Sequence, residues 1–273
     1  MRMVRLLTAV LAAVISLSVT DAGETAGSSL KAIKARGVLR VGVFAVDTPP
    51  FYFMNGEKGR MEGSDVDLAR DIAAHLGVDM EILRFGPPFG KLLESIDDDA
   101  VDIIVSSTSI NAERAAKYDA VIYDYTYFSF FLDLDALEKS LGREVVEPAD
   151  LNIPEARILV QKNTPFEGTL RRHFPLATQV PVDSNNDVGI MVAAMDRGEA
   201  HVAFDRDLVF LIYARTDPRS AGRFLLHPLT DIMNSVGLIL KKNSDVTPIV
   251  QAYIDGREEV HELSDTIDHY MKF

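Results

Sequence analysis

The stretch SSTSINAER, Ser106 to Arg114, sets a row of hydroxyls and then an arginine directly after the apolar run VDIIV. Hydroxyls, free backbone amides and a guanidinium are the groups with which a protein holds an anion. Ser107 and Ser109 stand two apart, so in an extended loop both hydroxyls aim at one point. Asn111 reads as a helix cap, which puts Arg114 in the first helical turn. A cation is misplaced there as helix chemistry, because the positive end of the helix dipole favours an acid. A bound carboxylate resolves the conflict, since the planar guanidinium meets it with two parallel hydrogen bonds. The competing reading is a surface pair between Arg114 and Asp119 or another nearby acid.

The elements around this stretch must hold it at a strand end. VDIIV reads as a buried strand, and open α/β sheets bind ligands beyond the carboxyl ends of their strands. Upstream, VLRVGV is a strand and PPF breaks it. GSDVDLARDIAAHLG predicts a helix with Ser64 as N-cap, acids Asp65 and Asp67 in its first turn, a stripe of Leu68, Ile72 and Leu76, and Gly77 as its stop. Strand VDMEILRF and a short helix around Leu92, Leu93 and Ile96 follow. The alternation starts again after about residue 150: strands ARILVQ, TQVPVD and AHVAF, interleaved with helices PFEGTLRRHF, NDVGIMVAAMDRG and DLVFLIYAR. Two α/β runs imply two lobes with mostly parallel sheets. The aromatic, extended segment YDYTYFSFFLDL suits a crossing between them, and SVGLILKK reads as one further strand before a helical C-terminus.

The totals bound the chemistry. A chain of 273 residues fills one large domain or two modest lobes, and zero cysteines exclude thiol catalysis, cysteine zinc sites and an N-terminal lipidated cysteine. The net charge of −13 argues against nucleic acid, so an anionic guest needs a local positive spot. At the N-terminus, Arg2 and Arg5 precede an uncharged run from Leu6 to Val19 and then small residues near Ala22. This is the layout of a cleaved secretory leader; as a helix the run reaches roughly 21 Å against a hydrocarbon core of roughly 30 Å.

From Leu30 onward the chain resembles the family 3 extracellular solute-binding proteins, the polar amino-acid receptors of ABC importers. The resemblance rests on LKAIKARGVLRVGV, PPFYF, GSDVDLARDIAAHLGV, SSTSINAER, VQKNTPFEGTLRRHFP and VGLILKK in that order. It implies an α/β, two-lobed periplasmic-binding-protein fold of type II with a discontinuous first lobe. The divisions expected are a leader over 1–22, the first lobe over 23–126 and again over 231–273, and the second lobe over 127–230. It also implies roles at matching positions. Arg114 would hold a ligand carboxylate with Ser107, Ser109 and the backbone around Thr164; Asp205 would receive an α-ammonium; Asp47 would touch the ligand from the first lobe. A periplasmic location, a monomeric state, a membrane permease partner and no cofactor, metal or catalysis complete the expectation.

Each assignment has a plainer competitor. Thr164 is also a cap for a helix opening at Pro165, Asp205 is also a cap, with Asp207 as its rival, and Asp47 is also a turn acid. The chain departs from the family at Ser64, where an aromatic is usual, and at Asn111 and Asn163, which replace Thr and Gly. Phe51, Tyr52, Tyr123 and Tyr125 are candidates either for replacement pocket surface or for core and hinge packing. The rival function is a prephenate or arogenate dehydratase on the same scaffold, with Glu167 as general acid; that helix-start position instead suits an acid that stabilises the dipole. A periplasmic sensor input is the third reading. The stretches GPPFGK and SSLK lack the spacing or companions of a phosphate loop or a lactamase, and the six histidines form no ligand pair.

Overall fold

The computed structural model describes residues 27–184, 187–220, 222–257 and 269–270. The leader expected over 1–22 lies outside them. In the first lobe, α1 (Leu30–Arg36), β1 (Val38–Phe44), the hairpin β2 (Phe53–Asn55) and β3 (Arg60–Glu62), α2 (Ser64–His75), β4 (Asp79–Phe85), α3 (Gly90–Asp97), β5 (Ile103–Ser109) and α4 (Ala112–Lys117) follow in order. Strand β6 (Asp119–Asp133) leads to α5 (Leu134–Leu141), β7 (Arg157–Gln161), α6 (Pro165–His173), β8 (Thr178–Val182), α7 (Val188–Asp196), β9 (Val202–Arg206) and α8 (Asp207–Thr216). The chain returns through β10 (Phe224–Leu240) to α9 (Thr247–Asp255).

One sheet of order β4-β1-β5-β10-β6-β9-β7-β8 runs through both lobes. Strands β4, β1 and β5 pair in parallel in the first lobe, and β9, β7 and β8 do so in the second. The two long strands join the lobes. β6 pairs antiparallel with β9 only from Phe128 to Leu132, whereas β10 reaches β5 only from Val236 to Leu240. The fold is therefore the two-lobed type II arrangement, with the first lobe completed by the returning strand.

Side-chain alternation along β6 builds the second lobe on both faces of the sheet. Phe128, Phe130 and Leu132 pack with Phe166, Leu170 and Phe174, while Phe131 turns to the opposite face and stacks on Phe210 at 5.0 Å. The first lobe has its own core, in which Val41, Ile104 and Val105 meet Leu68, Ile72 and Leu92.

Three local findings differ from the sequence reading. Gly63, not Ser64, is the N-cap of α2, with φ 125°. A Cβ there would lie 2.2 Å from the carbonyl oxygen of Phe51, so only glycine fits. The β2–β3 hairpin lies outside the expected elements, because two strands of three residues each are too short to show a period. Strand β10 begins at Phe224, well before SVGLILKK; its first half is partly exposed, contains Pro228 and shifts register between Leu229 and Met233, so it shows no period of two.

Candidate functional site

Strand β5 delivers the hydroxyl stretch to its carboxyl end, and Asn111 caps α4 by accepting the Arg114 N–H at 2.8 Å. The Arg114 side chain folds back to donate from Nη1 to the Ser109 carbonyl at 2.6 Å and lies over the Phe89 ring, 5.1 Å from its centroid. Burial lowers its pKa to about 10, with Glu113 opposing. Asp119, the acid that would have competed for it, instead accepts Thr247 Oγ1 at 2.8 Å and lies 3.7 Å from Lys242 Nζ. Among the described residues no ion pair joins Arg114 to a carboxylate.

Arg114 lines a cavity of about 570 Å³ between the lobes. Its first-lobe wall comes from α3 and α4, including Leu93, Glu94 and Lys117, and its second-lobe wall from the start of α6, including Asn163, Thr164 and Glu167, with Arg172 from the helix's last turn. Thr164 caps α6: its hydroxyl donates to the Gln161 carbonyl at 2.7 Å and accepts the Phe166 N–H at 3.3 Å. Asn163 has φ 59°, a left-handed conformation that asparagine tolerates better than most residues. Glu167 accepts the Asn163 N–H at 3.0 Å, the role of an acid at a helix start.

The other expected residues lie elsewhere. Ser107 and Asp205 are buried and do not line the cavity. Ser107 sits at φ 43° and its amide donates to Asp65 Oδ2 at 2.5 Å; the other oxygen of Asp65 accepts the Tyr123 hydroxyl at 2.8 Å. Asp65 is 1% exposed, and burial raises its pKa to about 7 against the pull of those two donors. Asp205 accepts its neighbour's amide, Arg206 N, at 2.7 Å; burial lifts its pKa to about 6, with Arg206 opposing. Ser109 contributes its carbonyl to Arg114. Asp47 stands apart, at 2.5 Å from Arg84 Nη2 and accepting the Met54 N–H at 3.2 Å, so the structure does not bring it to the cavity. Phe51 and Tyr52 are core residues and Tyr125 is exposed, so none of the three lines the cavity.

Sequence reasoning missed Arg206. Its side chain is 4% exposed, and Nη1 crosses from the second lobe to Ser107 of the first, donating to Oγ at 2.8 Å and to the carbonyl at 3.2 Å. The available signal was DRD directly after strand AHVAF: a charged triplet at the carboxyl edge of a sheet, where ligands bind.

With this geometry in hand, the comparisons decide the family. The model for bacterial extracellular solute-binding proteins, family 3, matches residues 39–272. The chain belongs to this family. Among relatives of known name, the L-cystine-binding protein of Escherichia coli is 30% identical over 144 residues, 53% of this chain and 50% of that protein. Membrane-bound lytic murein transglycosylase F of Vibrio cholerae is 30% identical over 207 residues, 73% of this chain and 38% of that protein. The chain thus matches half or less of the length of these two relatives. A solved amino acid ABC transporter substrate-binding protein from Streptococcus pneumoniae, bound to L-arginine, superposes with a TM-score of 0.66 at 25% identity, covering 90% of this chain and 96% of that one. The solute-binding protein described here has, among its described residues, no helix long and apolar enough to cross a membrane.

Proposed function

We propose that this family 3 solute-binding protein captures an amino acid or related small carboxylate between its two lobes and presents it to an ABC importer. The observation that carries this reading is the Arg114 guanidinium, free of any carboxylate partner among the described residues and facing an interlobe cavity opposite the capped start of α6. The ligand carboxylate docks on Arg114; closure then adds Thr164 and the amides of α6 from the other side. Ligand shifts the population because only the closed form offers both walls at once. Ser107, Ser109, Asp205 and Asp47 are not among the residues that line this cavity.

The reading includes a periplasmic location after removal of the leader, a monomeric receptor, an inner-membrane permease as partner and no chemical turnover. Glu167 is engaged as an acceptor at the start of α6, which supports binding over acid catalysis. The test is thermal unfolding of the mature chain against amino acids, dicarboxylates and opines. A guest at 100 times its dissociation constant raises stability by about 2.7 kcal/mol. Arg114→Ala is expected to abolish that gain, and a gain that survives it removes the site. Incubation with prephenate followed by mass spectrometry is expected to show no consumption.

A further inference from the structure

The cavity that Arg114 lines holds a second guanidinium. Helix α6 ends in the basic run Arg171, Arg172 and His173, and of these three Arg172 lines the cavity. Helical side chains lean towards the start of their helix. Arg172 leans along the cavity face of α6, over Gly168, which leaves it room: a Cβ at Gly168 would meet nothing nearer than Arg172 Nη1, at 3.7 Å. Arg172 Nη2 donates to Thr169 Oγ1 at 3.1 Å, and that hydroxyl donates to the Pro165 carbonyl at 3.3 Å. Thr169 is itself buried, so it holds the exposed guanidinium against the helix.

The other charges of the wall are placed differently. Lys117 pairs with Asp97 at 2.7 Å, and Glu167 accepts the Asn163 N–H at 3.0 Å. Glu94 and Glu113 are exposed acids on the lobe that already carries Arg114. Arg114 and Arg172 face the same space from opposite lobes, and neither has a carboxylate partner among the described residues. A volume of about 570 Å³ admits a small organic guest. A monocarboxylate engages one of these forks. A molecule with a carboxylate at each end engages both, each through two parallel hydrogen bonds.

We propose that Arg172 is the second anion anchor of this cavity, so that its guest is a small dicarboxylate held by Arg114 at one end and by Arg172 at the other. This rests on the reading of the Arg114 cavity as the ligand site and narrows its guest. One acid group on each lobe also couples the guest to closure, because only the closed form brings both guanidinium groups to it.

The test uses the mature full-length chain and probes that differ at one end: succinate, glutarate and adipate, each against its monoamide, and glutarate against 5-aminopentanoate. Dissociation constants come from calorimetry. At least one dicarboxylate is expected to bind roughly fivefold or more tightly than its monoamide, and glutarate more tightly than 5-aminopentanoate. Arg172→Ala is expected to bring the dicarboxylate and its monoamide to within about twofold of each other. Arg172→Gln keeps a donor for Thr169 without the charge and is expected to do the same, which separates a lost cation from a disturbed helix. The proposal falls if no dicarboxylate binds, if the monoamides or 5-aminopentanoate bind the wild type as tightly, or if both variants keep the wild-type ratio. Binding abolished by Arg114→Ala but indifferent to Arg172 sinks this inference alone. Binding indifferent to Arg114 sinks the site reading with it.

Discussion

Asp65 Oδ2 accepts the backbone N–H of Ser107 at 2.5 Å across 42 positions of sequence. The bond ties the first turn of α2 to a residue held at φ 43°, a conformation that a serine adopts at a cost. Burial sets the pKa of Asp65 at about 7, above its ordinary value near 4, so between those values the folded protein holds a proton that the unfolded chain releases. The stabilisation is full below about pH 4 and is lost as pH rises through 7, at up to about 1.4 kcal/mol per pH unit. Asp65→Asn, which keeps an acceptor for the Ser107 N–H, makes the Tyr123 hydroxyl an acceptor instead of a donor and cannot titrate, should remove this slope. Urea unfolding of both proteins from pH 4.5 to 7.5 checks it: the variant gains on the wild type as pH rises, and a constant difference would refute the account.

Gly63 and Phe51 define the entry to α2. Gly63→Ala combines a φ of 125° with a Cβ 2.2 Å from a carbonyl oxygen, and neither the backbone nor that oxygen can move without opening the turn. The expected loss is about 3 kcal/mol or more in chemical denaturation. A loss below about 1 kcal/mol would mean that the turn relaxes freely.

Asp102 carries the buried charge cluster of the first lobe. Its carboxylate, fully enclosed, accepts Arg36 Nη2 at 2.5 Å, Arg40 Nη2 at 2.7 Å and the Arg40 N–H at 2.8 Å. Asp102→Ala removes the carboxylate from two half-buried guanidinium groups and the acceptor from the Arg40 N–H, at an expected cost of about 3–5 kcal/mol. Asp102→Asn, retaining an acceptor, should lose less. Equal losses would assign the effect to packing.

Arg114→Lys separates charge from shape at the cavity. Lysine preserves the cation but not the planar fork, nor the reach that lets Nη1 bond the Ser109 carbonyl while the rest of the group faces the guest. Affinity for the ligand identified by thermal unfolding is expected to fall roughly 10- to 100-fold, corresponding to about 1.4–2.7 kcal/mol. Unchanged affinity would show that charge alone suffices.

Thr164 serves α6 as well as the cavity. Thr164→Ala removes a cap and is expected to cost about 1 kcal/mol of stability, with Thr164→Ser restoring it. If ligand affinity follows the same pattern, the hydroxyl reaches the guest through the cap it forms; affinity unchanged in the alanine variant would confine Thr164 to the helix.

What the sequence determined by itself was local and periodic. Asn111 as a cap, the placement of Arg114 in the first turn of α4, Thr164 before Pro165 and the two α/β runs all follow from spacing within a few residues, where propensity and capping act. The early start of β10 escaped because a partly exposed strand with a proline and a register shift carries no alternating signal. The position of Asp47 depended on Arg84, one strand away in the register of β1 with β4, and no local pattern encodes that neighbour. Arg206 was hidden for a stronger reason. Its triplet reads as ordinary charge at a helix start, and only the approach of two lobes joined by β6 and β10 carries its guanidinium to Ser107. Contacts between the lobes are set by the sum of packing over both, so tertiary structure alone decided which of the charged residues face each other.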